Sequence, residues 1–264
     1  MEKSLKKRVI TGIVLGIVIF ASIFNYTTAI IVIIAFILIG LYEFFQMLEN
    51  KGIYPFKIFG MIIGFLIPLS ISLSFSLKIE HQFFFVISGL IFLFLLQFLR
   101  RSTDMATVGI STTIFGILYI SWCLSFLIRI RQLPYGEYLL LGIILITKSA
   151  DSIAYIVGSL WGKHLLIKRI SPKKTWEGSL AAFFTSILVS VLCKGFMGFS
   201  LSKALICGML VGILGQLGDL SESLIKRDCG VKDSGQIPGL GGVLDILDSI
   251  IFVSPAFYLF LKVF

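Results

Sequence analysis

Residues 223–249 read SLIKRDCGVKDSGQIPGLGGVLDILDS. The stretch gathers Lys226, Arg227 and Lys232 with Asp228, Asp233, Asp245 and Asp248 around a glycine-rich turn. On either side, over 204–224 and 243–262, the chain is apolar for the ~20 residues a helix needs to cross a bilayer. So polar a break between two spans predicts a loop at a membrane face. Charge is costly there and is usually kept for function. Cations suit phosphates, and carboxylates at helical spacing suit a hard divalent cation. The stretch therefore predicts a phosphate-and-metal site set at a membrane surface.

Working outward, the same alternation of apolar runs and short polar breaks fills the chain. Of its 264 residues 57% are hydrophobic, and mean hydropathy is +1.01. This composition excludes a soluble domain and predicts an all-α polytopic transmembrane bundle. About nine spans fit, near 9–24, 28–46, 57–77, 82–99, 107–128, 137–160, 178–199, 204–224 and 243–262. The basic N-terminus runs straight into the first of these with no small-residue cleavage site, which predicts a retained helix. The net charge of +9 does not point to nucleic acid. Sixteen of the 23 Lys and Arg fall in breaks that alternation puts on the N-terminal side, the cytoplasmic side by the positive-inside rule. Eight of the 14 acidic residues lie between Asp151 and Asp248, so 1–136 reads as scaffold spans and 137–264 as the catalytic region of one membrane domain. Cys123, Cys193, Cys207 and Cys229 are scattered, and neither a disulfide framework nor a zinc site is indicated.

Four segments carry candidate chemistry. In 215–228, Asp219, Glu222, Ser223 and Lys226 share one helical face, which inside a membrane must look into a polar cavity. A plainer reading makes Glu222 and Lys226 a surface i,i+4 pair, but it leaves Asp219 within its apolar run unexplained. In 237–249, Gly239, Gly241 and Gly242 permit tight turns whose amides, with the following helix N-terminus, can cradle a phosphate. Asp245 and Asp248 are three apart and point the same way, as paired ligands of Mg²⁺ do. In 170–183, Lys173 and Lys174 fit anionic headgroups or a nucleotide, with topological charge as the plainer account. In 147–163, Lys148 and Asp151 lie on one helical face and can neutralise each other.

Together these segments resemble the phosphatidate cytidylyltransferase (CDP-diacylglycerol synthase) family. The matching positions are Ser223, Lys226, Arg227, Lys232, Asp233, Ile237, Pro238, Gly239, Gly241, Gly242, Asp245 and Asp248. Upstream, Ser171 to Gly178 matches an S-P-K-K-T-W-E-G block, and Asp151, Ala154, Tyr155 and Gly158 match a D-x-x-A-Y-x-x-G element. Leu240 stands where the family has His, and Ile246 where it has Arg. The resemblance covers about the last 115 residues; the first half matches only as hydrophobic spans. It implies a cytoplasm-facing enzyme of a bacterial cytoplasmic membrane that turns CTP and phosphatidate into CDP-diacylglycerol and pyrophosphate. It implies Mg²⁺ on Asp219, Asp245 and Asp248, admits a second, monovalent cation such as K⁺, and gives Lys226 a catalytic role with these aspartates. Substrate binding falls to Lys173, Lys174, Ser223, Arg227, Lys232, Asp233, Gly241 and Gly242, and the expected assembly is a homodimer. Rival readings are a CTP-dependent polyprenol kinase, transferring the γ-phosphate, and a membrane transporter, which predicts paired repeats with broken helices that this sequence lacks.

Overall fold

The computed structural model describes residues 12, 16–74, 79–100, 103–235 and 241–264, with the backbone alone for 79–85. A helical segment at 16–23 (α1) precedes α2 (Tyr26–Asn50), α3 (Lys57–Ser72) and α4 (Ile79–Phe98). Then come α5 (Ala106–Arg131), with a six-residue π segment at Ile117–Trp122, and α6 (Gly136–Trp161). Strands β1 (Leu165–Ile167) and β2 (Ser171–Thr175) lead to α7 (Trp176–Met197), α8 (Leu201–Asp228) and α9 (Val243–Val263). Helix dominates because a membrane leaves backbone amides no partner but each other.

Among the described residues six helices are long and apolar enough to cross a bilayer, namely α2 and α5 to α9. The chain is an integral membrane protein, a helical bundle. The expected count of about nine does not follow from these lengths. Among the described residues of the third expected span, 57–77, the helix covers Lys57–Ser72, 16 residues with Pro68 inside, and the chain turns at Ser74 with φ 53°. Residues 9–11 and 13–15 of the first expected span lie outside the described residues. The antiparallel β1–β2 hairpin is an addition to an otherwise helical fold. It occupies the 161–177 break and closes with Trp176 N–H on His164 O at 2.9 Å.

The core forms where helix stripes meet: Ile37, Leu41, Phe44 and Phe45 of α2, Ile120 and Leu124 of α5, Ile143 and Ile146 of α6, and Leu244, Ile251 and Phe257 of α9. On α7, Phe184, Leu188 and Leu192 lie four apart and exposed, an apolar stripe suited to lipid. The breaks that charge alternation assigns to one side do come together. Lys51 pairs with Asp228 at 2.6 Å, Lys57 with Glu49 at 2.9 Å, and Arg227 Nε donates to Ile170 O at 3.4 Å. At the other end Arg131 pairs with Glu137 at 2.9 Å and Gln132 donates to Ile71 O at 2.8 Å.

Side-chain caps mark three helix starts: Asn25 accepts from Thr27 and Thr28, Thr175 from Gly178, and Ser200 from Lys203. The cap residue of α9, Gly242, has no side chain to offer. Glu43, buried on α2, does that work from a distance. Its carboxylate accepts Val243 N–H and Leu244 N–H at 2.9 Å each and the Ser234 hydroxyl at 2.9 Å. A carboxylate there also suits the positive end of the helix dipole. Glu43→Ala should lower unfolding stability by about 2 kcal/mol, because buried amides lose their acceptor. Glu43→Gln, which keeps one acceptor, should lose less; thermal unfolding in detergent measures both.

Candidate active site at one end of the bundle

α6, α7, α8 and α9 meet at the end that carries the basic loops. Their approach depends on Gly218 of α8, where a Cβ would run into the backbone oxygen of Asp248 on α9. Small residues at such a contact let two helices touch backbone to backbone. This brings Asp219 and Asp248, on different helices and both half-buried, within electrostatic range of each other.

Cations frame that pair. Lys174, at the end of the hairpin, lies 2.5 Å from Asp219 Oδ2. Lys148 lies 3.1 Å from Asp151 Oδ2 and donates to Ile246 O at 2.8 Å and to Ser249 Oγ at 3.2 Å. Ser249 Oγ donates in turn to Asp151 Oδ2 at 2.8 Å. The expected Lys148–Asp151 pair therefore exists, and it is tied across to α9 beside Asp248. Lys148 and Asp151 are both electrostatic neighbours of that carboxylate.

Asp245 belongs to a second group. Lys226 is wedged between Glu222, four residues before it on α8, and Asp245 on α9. Asp245 Oδ2 also accepts Ser234 N–H at 2.8 Å and Gly242 N–H at 2.7 Å, and shares the single Ser234 hydroxyl proton, at 2.9 Å, with Glu43. Glu222 is 0% exposed, and its carboxylate is paired with the Lys226 ammonium. So the Glu222–Lys226 pair is present as a buried pair rather than a surface one.

The aspartates expected as one metal triad are thus divided, Asp219 with Asp248 and Asp245 with Lys226. Among the described residues no three His, Cys, Asp or Glu side chains come together as ligands of one metal ion. Asp219 and Asp248 still fit a hard cation, since Mg²⁺ is commonly held by one or two carboxylates and completed by substrate phosphates and water. The amides expected to cradle a phosphate already serve carboxylates: Gly242 serves Asp245, and Val243 and Leu244 serve Glu43. Gly241, with φ +87°, and Gly242, where a Cβ would strike Ser234 and Glu43, are needed for this tight closure. Ile237, Pro238, Gly239 and Leu240 lie outside the described residues. Lys173, Arg227, Lys232 and Asp233 are exposed at the same end, and Ser223 is half-buried on α8.

Glu43, Ser234 and Ser249 were not read from the sequence as site residues. For Glu43 the signal was present, a lone carboxylate in the apolar run of α2. The two serines carried none, because only the fold brings them to Asp245 and Asp151.

A helical membrane bundle that concentrates carboxylates and lysines at one end of its helices defines a class: an integral membrane protein equipped to handle polyanions at the lipid surface. The cytidylyltransferase family matches residues 6–264, and the chain belongs to that family. The phosphatidate cytidylyltransferase of Synechocystis sp. is 37% identical over 256 residues, 85% of each chain. That of Bacillus subtilis is 31% identical over 267 residues, 98% of each chain. One from Staphylococcus aureus is 43% identical over 123 residues, 46% of this chain and 47% of its own.

Proposed function

We propose that this chain transfers the cytidylyl group of CTP to phosphatidate, giving CDP-diacylglycerol and pyrophosphate in phospholipid biosynthesis. The observation that carries the reading is the Asp219–Asp248 pair, framed by Lys174 and Lys148 at the end of a membrane bundle. A phosphate oxygen of the lipid attacks the α-phosphorus of CTP; the bond to the β-phosphate bridging oxygen breaks, and pyrophosphate leaves with those electrons. The nucleophile is largely ionised near neutral pH, its second pKa being about 6, so no strong base is required. Alignment and charge neutralisation then supply the rate.

In this reading Asp219 and Asp248 hold Mg²⁺, which when bound offsets the charge of the triphosphate; K⁺ is a candidate second ion. Lys173 and Lys174 receive nucleotide or headgroup phosphates. Arg227 and Lys232 sit at the exposed rim for the same task, and Ser223 and Asp233 line the approach. Lys226 and Asp245 hold the α8–α9 junction closed, with Gly241 and Gly242 shaping its loop, and the Lys226 ammonium also reaches a substrate phosphate during the reaction. The proposal extends to about nine spans, a scaffold of 1–136 and a catalytic region of 137–264, a homodimer, and a bacterial cytoplasmic membrane with the site facing the cytoplasm. Cytosolic CTP suits that orientation.

Purified protein in detergent, given phosphatidate, Mg²⁺ and CTP labelled in the cytidine, should move label into the lipid phase. Label that enters lipid only from the γ-phosphate would instead establish a lipid kinase. No label from either position, with folded protein, would sink the reading.

A further inference from the structure

The β1–β2 hairpin serves the charged centre with one side chain, Lys174, which pairs with Asp219. Arg227 Nε on Ile170 O fastens it to α8 as well. Much of the rest of the hairpin faces outward, and the helices on either side fix its depth. Trp161 ends α6 and Trp176 begins α7, 65% and 54% exposed. Tryptophans at the ends of membrane helices mark the headgroup level, where an amphipathic ring is wet on one side and apolar on the other. From Trp176 an exposed apolar stripe continues along α7 through Leu180, Phe184, Leu188 and Leu192, one residue in every four. Surface fit for acyl chains thus runs up to the base of the hairpin.

At the hairpin the surface becomes apolar and cationic together. Leu165 and Ile167, two apart on one face of β1, are 43% and 39% exposed. Lys163, Lys168, Arg169 and Lys173 are exposed beside them, and none of the four forms an ion pair among the described residues. Residues 161–177 hold five Lys and Arg against one acid, Glu177, whose carboxylate is already engaged by His164 at 2.7 Å. Cations of this kind at headgroup depth attract anionic lipid, and the leucine and isoleucine beside them gain by entering the interface. A nucleotide would account for the cations but not for the exposed Leu165 and Ile167. A second copy of the chain docked here by two-fold symmetry would set the basic patch against itself.

We propose that the β1–β2 hairpin is a docking surface for anionic phospholipid headgroups. Leu165 and Ile167 enter the interface, and Lys163, Lys168 and Arg169 collect anionic lipid beside the Lys174–Asp219 pair. The docking stands on the surface alone. Its effect on turnover, a higher local supply of phosphatidate, rests on the reading of the chain as a phosphatidate cytidylyltransferase.

The test of that effect uses Lys168→Gln with Arg169→Gln in phosphatidylcholine nanodiscs containing graded phosphatidate. The double variant should need about 5-fold more phosphatidate in the disc for half-maximal rate, the enrichment a single surface cation supports. Its kcat and its KM for CTP should match wild type. A raised KM for CTP would make the patch a nucleotide site, and an unchanged phosphatidate dependence would leave it a topological signal; either overturns the proposal. A second readout needs no turnover. Ile167→Cys is labelled with an environment-sensitive fluorophore, with wild type, whose cysteines are buried or half-buried, as the labelling background. Emission should shift to the blue, and quenching by a headgroup nitroxide lipid should rise, when phosphatidylglycerol is added to phosphatidylcholine discs. Lys168→Gln with Arg169→Gln should abolish that response. A probe equally open to a water-soluble quencher in both discs, or shielded only as protein concentration rises, would overturn the docking. The lipid response in a protein that moves no cytidylyl label would keep the surface and retire the function, and turnover without the response would do the reverse.

Discussion

Asp248→Asn should lower cytidylyl transfer by about 10²- to 10³-fold while the protein stays folded, the size expected when one preorganised charge is removed from a transition state. Asn has the shape of Asp but none of its charge. Asp248 is half-buried on α9, within electrostatic range of Asp219, beside the close α8–α9 contact at Gly218. Removing one of two neighbouring carboxylates relieves repulsion in the free protein. It also leaves Lys148 with Asp151, Ser249 and Ile246 O as partners, so no cation is stranded. Stability should therefore hold or rise slightly while turnover collapses. The same logic says the loss will be in kcat more than in KM for lipid, and that extra Mg²⁺ will recover part of it. The measurements are initial rates against Mg²⁺ concentration, paired with thermal unfolding in the same detergent. Activity within five-fold of wild type, in a folded variant, would remove Asp248 from the reacting centre. Asp245→Asn is a poorer first choice, although the sequence pairs it with Asp248. Its carboxylate binds Lys226, Ser234 and Gly242, so its loss confounds structure with chemistry.

How much of this was legible in the sequence differs by element. The six long helices were, because period and length are local properties: 137–160 became Gly136–Trp161, and 243–262 became Val243–Val263. The gathering of basic breaks at one end was also legible, because topology is set by alternation. The division of the aspartates was not. Spacing put Asp245 and Asp248 on one face of α9, and that is a statement about a single helix. Which carboxylate meets which partner depends on the crossing of α8 over α9 and on the loop that returns Ser234 to Asp245. Glu43 was hidden for the same reason: it stands 200 residues from the Val243 amide it caps. The expectation of a phosphate on the α9 N-terminus assumed free amides, and a long-range carboxylate uses them. The π segment in α5 was invisible, since nothing in ILYISW breaks a helical pattern.

The second large effect concerns Lys226. Lys226→Met should cost about 3–5 kcal/mol of stability, because it leaves the fully buried Glu222 and the mostly buried Asp245 without their shared cation. On a chain of this size that is a fall of about 10 °C in unfolding temperature. Taken alone, such a variant would also be inactive, and the inactivity would say nothing about catalysis. Adding Glu222→Gln separates the two. The neutral amide removes the buried charge that Lys226 offset, while Asp245 keeps its bonds from Ser234 and Gly242. The double variant should therefore recover at least half of the lost unfolding temperature. If Lys226 only clamps α8 to α9, turnover should return in the same proportion. If its ammonium also reaches a substrate phosphate during the reaction, turnover stays at least about 10²-fold down in a protein that is again stable. The second outcome is expected. A buried ion pair is seldom the most stable filling for such a position, and a cation kept between two carboxylates beside the Asp219–Asp248 pair is better explained by phosphate charge than by stability alone.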